Sequence, residues 1–415
     1  MQTVLRRPFF VLIGGAGLAQ LITFLSAPLL TRLYAPEAFG LLSLFGTSLA
    51  VLGSIAGWRY EQAVIGEAVD KFADDLVVLA GLLALSLALL LPFIRPVILP
   101  WLHAPSYISE AVTWLAPALV AYVMGQALTN WLVRKGGFRI TSASKIIQAS
   151  TVLAVSLCAT GSIQGLTVAS MGGYAAACVV LLIGAHRMGW LRDTVRPKDL
   201  LHVIRRHVKF PLAGALPALF DSLSMLLPVY WVAIYFSAND TGQFGLSRQV
   251  LAAPLGMISV VVSQLLMKRF ADAKFANASM LPYLKKTCLV MFGPILVLGL
   301  IVSFAASDIF AWLFGNGWRN AGAISQWMVW AYIAPMLVSP LSGIMLVLRR
   351  VGSNGAWQIL HCAGLLSIMS LMTFSSIEQF IRMLVFFEIF SYAIYAALIA
   401  YALHDYEKAR RVNVN

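Results

Sequence analysis

The sequence predicts an all-α polytopic membrane protein of about twelve transmembrane helices, and three observations carry that expectation. Of 415 residues, 60% are hydrophobic and only 11% charged, more apolar than a soluble core requires. The apolar residues come in runs of twenty or more, enough to cross a hydrocarbon layer about 30 Å thick. Period-two alternation in segments of roughly ten residues, the mark of a transmembrane barrel, does not occur. The basic residues then distribute by side. With the amino terminus placed in the cytoplasm, 23 Lys and Arg fall in inside segments and four (Arg32, Arg95, Arg319 and Arg382) in outside segments. That asymmetry over short loops predicts both termini on the cytoplasmic side.

Spans are expected at 9–31, 39–64, 75–95, 111–133, 141–160, 164–186, 210–236, 242–267, 284–306, 321–348, 354–374 and 380–403. The first is read as a retained helix. Its apolar stretch outruns a signal h-region and lacks a small-residue cleavage site. The second, FGLLSLFGTSLAVLGSIAGWRYEQAV, carries Arg59 and Glu61 near one membrane face. The stretch Arg95 to Glu110, broken by prolines, is expected to be an interfacial loop. Glu67, Asp70, Asp74 and Asp75 make the connection to the third span acidic, against the basic trend, but acids weigh little in the sidedness rule. The formal charge of +13 is absorbed by that rule and implies no nucleic-acid partner. Cys158, Cys178, Cys288 and Cys362 show no paired spacing and read as small packing residues, so neither a disulfide framework nor a metal site is expected.

The longest connection, 188–209, falls near mid-chain and is strongly basic. Arg6-Arg7, Pro28 and Gly40 find counterparts in Arg205-Arg206, Pro228 and Gly242, at offsets of 199, 200 and 202. A parallel six-plus-six repeat follows, with an amino-terminal lobe over 1–187, a linker over 188–209, a carboxy-terminal lobe over 210–404 and a tail over 405–415. Transporters are commonly built from two such lobes.

Within the first sixty residues, Ala19-Gln20, Pro28, Thr31-Arg32-Leu33-Tyr34, Pro36-Glu37, Phe39-Gly40 and Arg59-Tyr60-Glu61 form a pattern. It resembles the amino-terminal signature of bacterial polysaccharide flippases in the multidrug/oligosaccharidyl-lipid/polysaccharide superfamily. Gly242-Gln243-Phe244 looks like its second-lobe counterpart. The resemblance implies an inner-membrane exporter, not an enzyme, that turns an undecaprenyl-pyrophosphate-linked oligosaccharide toward the periplasm for O-antigen, capsule or exopolysaccharide synthesis. It also implies two lobes in a V around a cationic central cavity, membrane lipids as surroundings, and a polysaccharide polymerase or other export machinery as partner. No cofactor is implied.

Arg59 offers a fork of donors suited to phosphate oxygens; snorkelling to the headgroups is the competing role. Glu61, two residues on, points elsewhere around a helix and leaves that charge unneutralised. Arg248, about one and a half turns into the eighth span, would supply the cation of the other lobe, with an interfacial position as its alternative. Lys145 is a third substrate-binding candidate, although a snorkelling end position suits it better. Asp221, deep in the seventh span, is expected to pair with Arg248 or Lys145, to titrate as a coupling group, or to stay protonated and structural. Glu388 sits near Tyr392 at helical spacing, with charge pairing and helix packing both open. His361 reads as a lone packing histidine. Trp58, Trp101, Trp190 and Trp318 fit membrane belts, and Trp231, Trp327 and Trp330 are candidates for sugar stacking. Two other classes remain: a drug/cation antiporter of the same superfamily, which calls for carboxylates, and a polysaccharide polymerase or ligase, which calls for a larger outside segment.

Overall fold

In a computed structural model the described residues are 2–101, 105–191, 195–208, 210–348 and 350–412. Among them, helices are joined by short turns with no strand. The backbone forms two compact units, Met1–Gly242 and Gln243–Asn415. Arg192, Lys209 and Arg349, counted in the sidedness pattern, lie outside the described residues, as does the end of the tail.

In the first unit the long helices are α1 (Gln2–Leu33), α2 (Pro36–Ala56), α4 (Asp70–Trp101), α6 (Leu115–Arg134), α7 (Phe138–Cys158), α8 (Gly165–Arg187) and α10 (Leu216–Tyr235). Shorter pieces are α3 (Tyr60–Ala63), α5 (Ser106–Ala111) and α9 (Pro197–Arg206). Helix α11 (Ala238–Phe275) begins here and continues into the second unit. There it is followed by α12 (Leu281–Phe314), α13 (Arg319–Val338), α14 (Gly343–Val347), α15 (Val351–Leu371) and α16 (Ile377–Val412).

Every expected span has a helix of at least twenty residues at its position, except that the tenth divides between α13 and α14 through a 3-10 turn at Ser339–Ser342. Nine stretches among the described residues are long and apolar enough to cross a membrane by length and composition. The chain is a multi-pass membrane protein. The helices α6 and α15 fall outside that set, and their sequences show the cause: they carry Gln126 and Asn130, and Asn354, Gln358 and His361. Helix α6 tolerates such residues because its Leu119, Val123, Ala127, Leu128 and Trp131 are buried in protein rather than lipid.

The core of the first unit gathers α2, α4, α6 and α8 around Phe45, Leu76, Leu119, Leu128 and Trp131. That of the second gathers Phe270, Ile344, Trp357, Tyr395 and Ile399. The end of α1 is tied to α7 by the Tyr34 hydroxyl, which donates to the Ser156 carbonyl at 2.6 Å. Arg32 in the last turn of α1 and Glu37 in the first turn of α2 carry charges that complement the respective helix dipoles.

Several sequence expectations are corrected. The second span stops at Ala56, not Val64, because Trp58 (φ 49°) and Arg59 (φ 64°) are left-handed and turn the chain out of the helix. The stretch after Arg95 is no loop. Helix α4 runs to Trp101 through Pro92, Pro96 and Pro100. Their four-residue spacing places each missing N–H on one stripe, and the helix continues through all three. Arg95 then reaches α5 through Ser109 and bonds Thr113 at 3.2 Å. Trp190 and Trp318 are buried at 8% and 3% exposure and belong to packed protein, not a membrane belt. Trp58 is exposed, while the Trp101 side chain lies outside the described residues. Cys178 and Cys362 are buried packers, whereas Cys158 and Cys288 are exposed; none of the four forms a disulfide.

Candidate functional site

The break after α2 creates the site. Gly57, Trp58 and Arg59 leave the helix, and Tyr60–Ala63 re-enter as one turn, α3. Consecutive left-handed residues with side chains each cost of order 1–2 kcal/mol, so packing around the break must hold them. Asn130 of α6 does part of this, donating from Nδ2 to the Glu61 carbonyl at 2.7 Å. Tyr60 and Ala63 are buried in the core of the unit.

Arg59 is half-buried and lies over the π-helical turn Pro211–Ala215 that opens α10. A Cβ added to Gly214 would stand 3.7 Å from its Cγ and 3.9 Å from its Nε. Turns of this kind recur at functional sites. The Arg59 Nε is shielded from solvent and meets no acceptor. A buried donor left unmade costs about 1–3 kcal/mol, and an incoming anionic oxygen would recover it.

Glu61 is 7% exposed, and its Oε2 also lacks a donor. Its carboxyl folds back over Gly57, where an added Cβ would stand 2.5 Å from Oε2. Burial pushes its pKa up, against a backbone hydrogen bond and the Arg59 charge, which pull it down. The expectation that Glu61 points away from Arg59 assumed a continuous helix. With the helix broken, the two are electrostatic neighbours.

Below the break lies a network that sequence reasoning passed over. Glu67 accepts from the Val69 N–H at 3.0 Å and pairs with His207 at 2.9 Å and Arg206 at 3.3 Å. Asp70 pairs with Arg134 and Lys135, both at 2.6 Å, and Lys71 with Asp199 of α9 at 2.7 Å. Asp74 accepts from Trp131 Nε1 at 2.7 Å and from the Leu191 N–H at 3.0 Å. Burial alone would raise the Glu67 pKa, but the Val69 N–H, His207 and Arg206 outweigh it and hold the group low. The acids of the dissenting loop therefore fasten the start of α4 to its neighbours, Glu67 to Arg206 of α9 and to His207, and Asp70 and Asp74 to the end of α6. The available signal was their number, since buried carboxylates need cations brought to them.

A lowered pKa in the folded state gives stability present above the ordinary carboxylate value and lost as pH falls through the lowered one. The thermal midpoint of the detergent-purified protein should therefore fall on the acid side, and Glu67→Gln should flatten that limb and lower the midpoint at neutral pH. Superimposable acid limbs for the two proteins would contradict the clamp.

In the second unit, Arg248 is half-buried on α11. It donates from Nε to the Tyr332 hydroxyl at 3.3 Å and lies 6.0 Å from the Phe244 ring centroid. Five residues earlier, Gln243 donates to the Gly317 carbonyl at 2.7 Å and accepts from the Ala321 N–H at 2.9 Å, which joins α11 to the start of α13. Glu388 of α16 pairs with His361 of α15 at 3.2 Å. Lys145 is exposed on α7, and Asp221 is exposed on α10. Of the stacking candidates, Trp231 is 7% exposed and packed on Tyr235, and Trp327 lies under Arg382 at 4.6 Å. Among the described residues no three His, Cys, Asp or Glu side chains converge as metal ligands.

Solved structures of transporters align with nearly the whole chain. A multidrug resistance MATE family transporter of the MOP superfamily, in an inward-facing conformation, matches with a TM-score of 0.71 and 13% identity over 97% of this chain and 98% of its own. The eukaryotic MATE transporter AtDTX14 gives 0.56 and 16%, covering 98% of each chain. A MOP superfamily transporter from Pyrococcus furiosus, described as having a binding pocket of reverse polarity, gives 0.52 and 13% over 96% and 94%. No protein-family model matches the sequence, and no curated protein does. The chain has the fold of MOP superfamily transporters.

Proposed function

We propose that the chain is a flippase for an amphiphile with a phosphate-bearing head, an undecaprenyl-pyrophosphate-linked oligosaccharide. It would move this lipid across the bacterial inner membrane toward surface polysaccharide assembly. The observation that carries the reading is Arg59: a guanidinium on a strained turn, its Nε buried without an acceptor, beside a π-helical turn. A diphosphate oxygen supplies the missing acceptor, and the apolar tail stays in lipid. Arg248 is the corresponding cation of the second unit. Lys145, exposed on its helix, is assigned a secondary role in drawing in the anion. Asp221, also exposed, is left the charge-pairing or coupling role.

Two further observations support the reading. The transporter fold suits translocation better than catalysis, so no enzymatic step is assigned. The positions paired in the six-plus-six reading also lie against one another: a Cβ on Gly40 would meet the Ala238 carbonyl at 3.0 Å, and one on Gly242 would meet the Pro36 carbonyl. Segments 36–40 and 238–242 thus pack reciprocally at the offset of 202 seen in sequence. Both termini are placed in the cytoplasm by the basic residues, and the polymerase or export machinery acting next is the expected partner.

Export of cationic drugs is the second reading. Glu61 favours it, being a buried carboxylate whose Oε2 has no donor, and the MATE structures share the fold. Complementation of a polysaccharide-flippase deletion separates the two. Surface glycan should return with the wild type and be lost with Arg59→Ala and Arg248→Ala at normal protein levels. Full export by both variants would remove the cationic-site account, and dye efflux without glycan rescue would favour the antiporter.

A further inference from the structure

We propose that the exposed side of α9 (Pro197–Arg206) is a binding surface for anionic phospholipid headgroups of the adjoining membrane leaflet. The surface rests on the multi-pass fold alone; only its assignment to the cytoplasmic leaflet rests on the reading above.

Both ends of this helix are written in its sequence. Pro197 takes the first helical position, Asp199 lies in the first turn, and Arg205 and Arg206 lie in the last, where their charges suit the helix dipole. At about 100° per residue the side chains divide between two sides. Asp199, Val203 and Arg206 share the side that faces the protein. Asp199 pairs with Lys71 at 2.7 Å, Val203 is fully buried in the core of the unit, and Arg206 pairs with Glu67 and lies 5.2 Å from the Phe72 ring centroid. Leu200 and Ile204 pack against the same core. Lys198, Leu201 and Arg205 fall within about 60° of one another on the other side, and all three are exposed. Among the described residues neither Lys198 nor Arg205 meets a carboxylate.

The depth is that of headgroups. Through Asp199, His202 and Arg206, α9 lies against Lys71, Phe72 and Glu67, where α4 begins. Helix α4 has 32 residues, about 48 Å at about 1.5 Å each, and a bilayer with its headgroups is about 40–45 Å thick. The first turn of α4, and α9 beside it, therefore stand at the polar layer.

Charge and apolarity together select the occupant. Over 187–209 the sequence carries seven Lys and Arg against two Asp, and one of those acids is already held by Lys71. The surplus flanks Leu201, which is 51% exposed, and Val208 is exposed just past the helix. A leucine between two cations suits an interfacial helix: the apolar chain enters the acyl boundary while the cations meet phosphates. An acidic soluble partner would take the cations and leave Leu201 in water. Each Lys or Arg held at an anionic membrane surface strengthens binding about fivefold, less as salt rises.

The test places a reporter on this surface. With the exposed Cys158 and Cys288 replaced by alanine, Leu201→Cys would carry an environment-sensitive dye. The full-length protein would be reconstituted in vesicles of phosphatidylcholine and phosphatidylglycerol. A doxyl quencher on the acyl chain would be carried by one lipid or the other at one total composition. Quenching by doxyl-phosphatidylglycerol should be about twofold stronger or more, and the difference should shrink as salt is raised. Lys198→Gln with Arg205→Gln should make the two lipids equal and leave the thermal midpoint close to that of the parent, since neither residue joins the Glu67 ties. Val208→Cys gives a second label position should the first protein not fold. Equal quenching by the two lipids with both cations present would overturn the proposal. So would a preference that survives the double substitution, or a dye quenched by aqueous iodide and by neither lipid. None of these readings depends on the cargo, so a failed flippase reading leaves them unchanged.

Discussion

Gly242→Ala should abolish the folded protein or lower its thermal midpoint by many degrees. An alanine Cβ at this position would stand 1.8 Å from the Pro36 carbonyl oxygen, 2.4 Å from its carbon and 3.0 Å from its Cα. All three are backbone atoms, so no side-chain rotation relieves the clash. Pro36 is also the first residue of α2, with its φ fixed by the ring. Overpacking in a tight core costs typically about 1–3 kcal/mol, and a carbonyl held on a helix terminus puts this case at the upper end. Gly40→Ala, whose nearest contacts lie at 3.0 and 3.1 Å, should cost less. Gly256→Ala, on the same helix with nothing among the described residues within 4 Å of its added Cβ, should be neutral or stabilising by about 0.5–1 kcal/mol. Fluorescence-detected size exclusion after heating reads all three. Equal stability of Gly242→Ala and wild type would show that segments 36–40 and 238–242 do not cross this closely.

Arg59→Ala should reduce glycan export at least tenfold at normal protein levels. A hydrogen bond to a charged group is worth about 1.5–3 kcal/mol, and each 1.4 kcal/mol is a factor of about ten. Arg59→Lys keeps the charge and loses the fork, so it should fall between wild type and alanine. Arg59→Gly is the diagnostic variant. At φ 64° glycine relieves backbone strain, so the protein should be as stable as wild type while export is lost. Stability falling in step with export across the three variants would mean that Arg59 only braces the turn.

The helices were legible because a span of apolar residues has few readings, and the basic residues give its direction. Where the chain leaves the helix was not. Gly57-Trp58-Arg59-Tyr60 continues the apolar pattern of α2, and only the left-handed φ at Trp58 and Arg59 shows the turn. That single misplacement sent Glu61 to the wrong side of Arg59. Arg59 itself was visible as a charge in an apolar context, and Arg248 likewise. The ties made by Glu67, Asp70 and Asp74 were hidden by a sidedness rule that ignores acids, and the partners of Glu67, Arg206 and His207, stand about 140 residues away in sequence. His361 and Glu388 looked solitary because periodicity relates residues within one helix, never across two. Their matching depth in consecutive spans was the readable clue. Pro92, Pro96 and Pro100 misled in the opposite sense, reading as a loop where their even spacing lets a helix persist.

The most direct test of an anion-headed lipid as cargo is reconstitution. Purified protein in proteoliposomes would be given a fluorescent undecaprenyl-pyrophosphate-linked sugar in one leaflet, and its accessibility to a membrane-impermeant quencher followed with time. Transfer between leaflets by the wild type, at least tenfold slower with Arg59→Ala, is the predicted result. No transfer by well-folded protein, together with uptake of cationic dyes by the same vesicles, would contradict it.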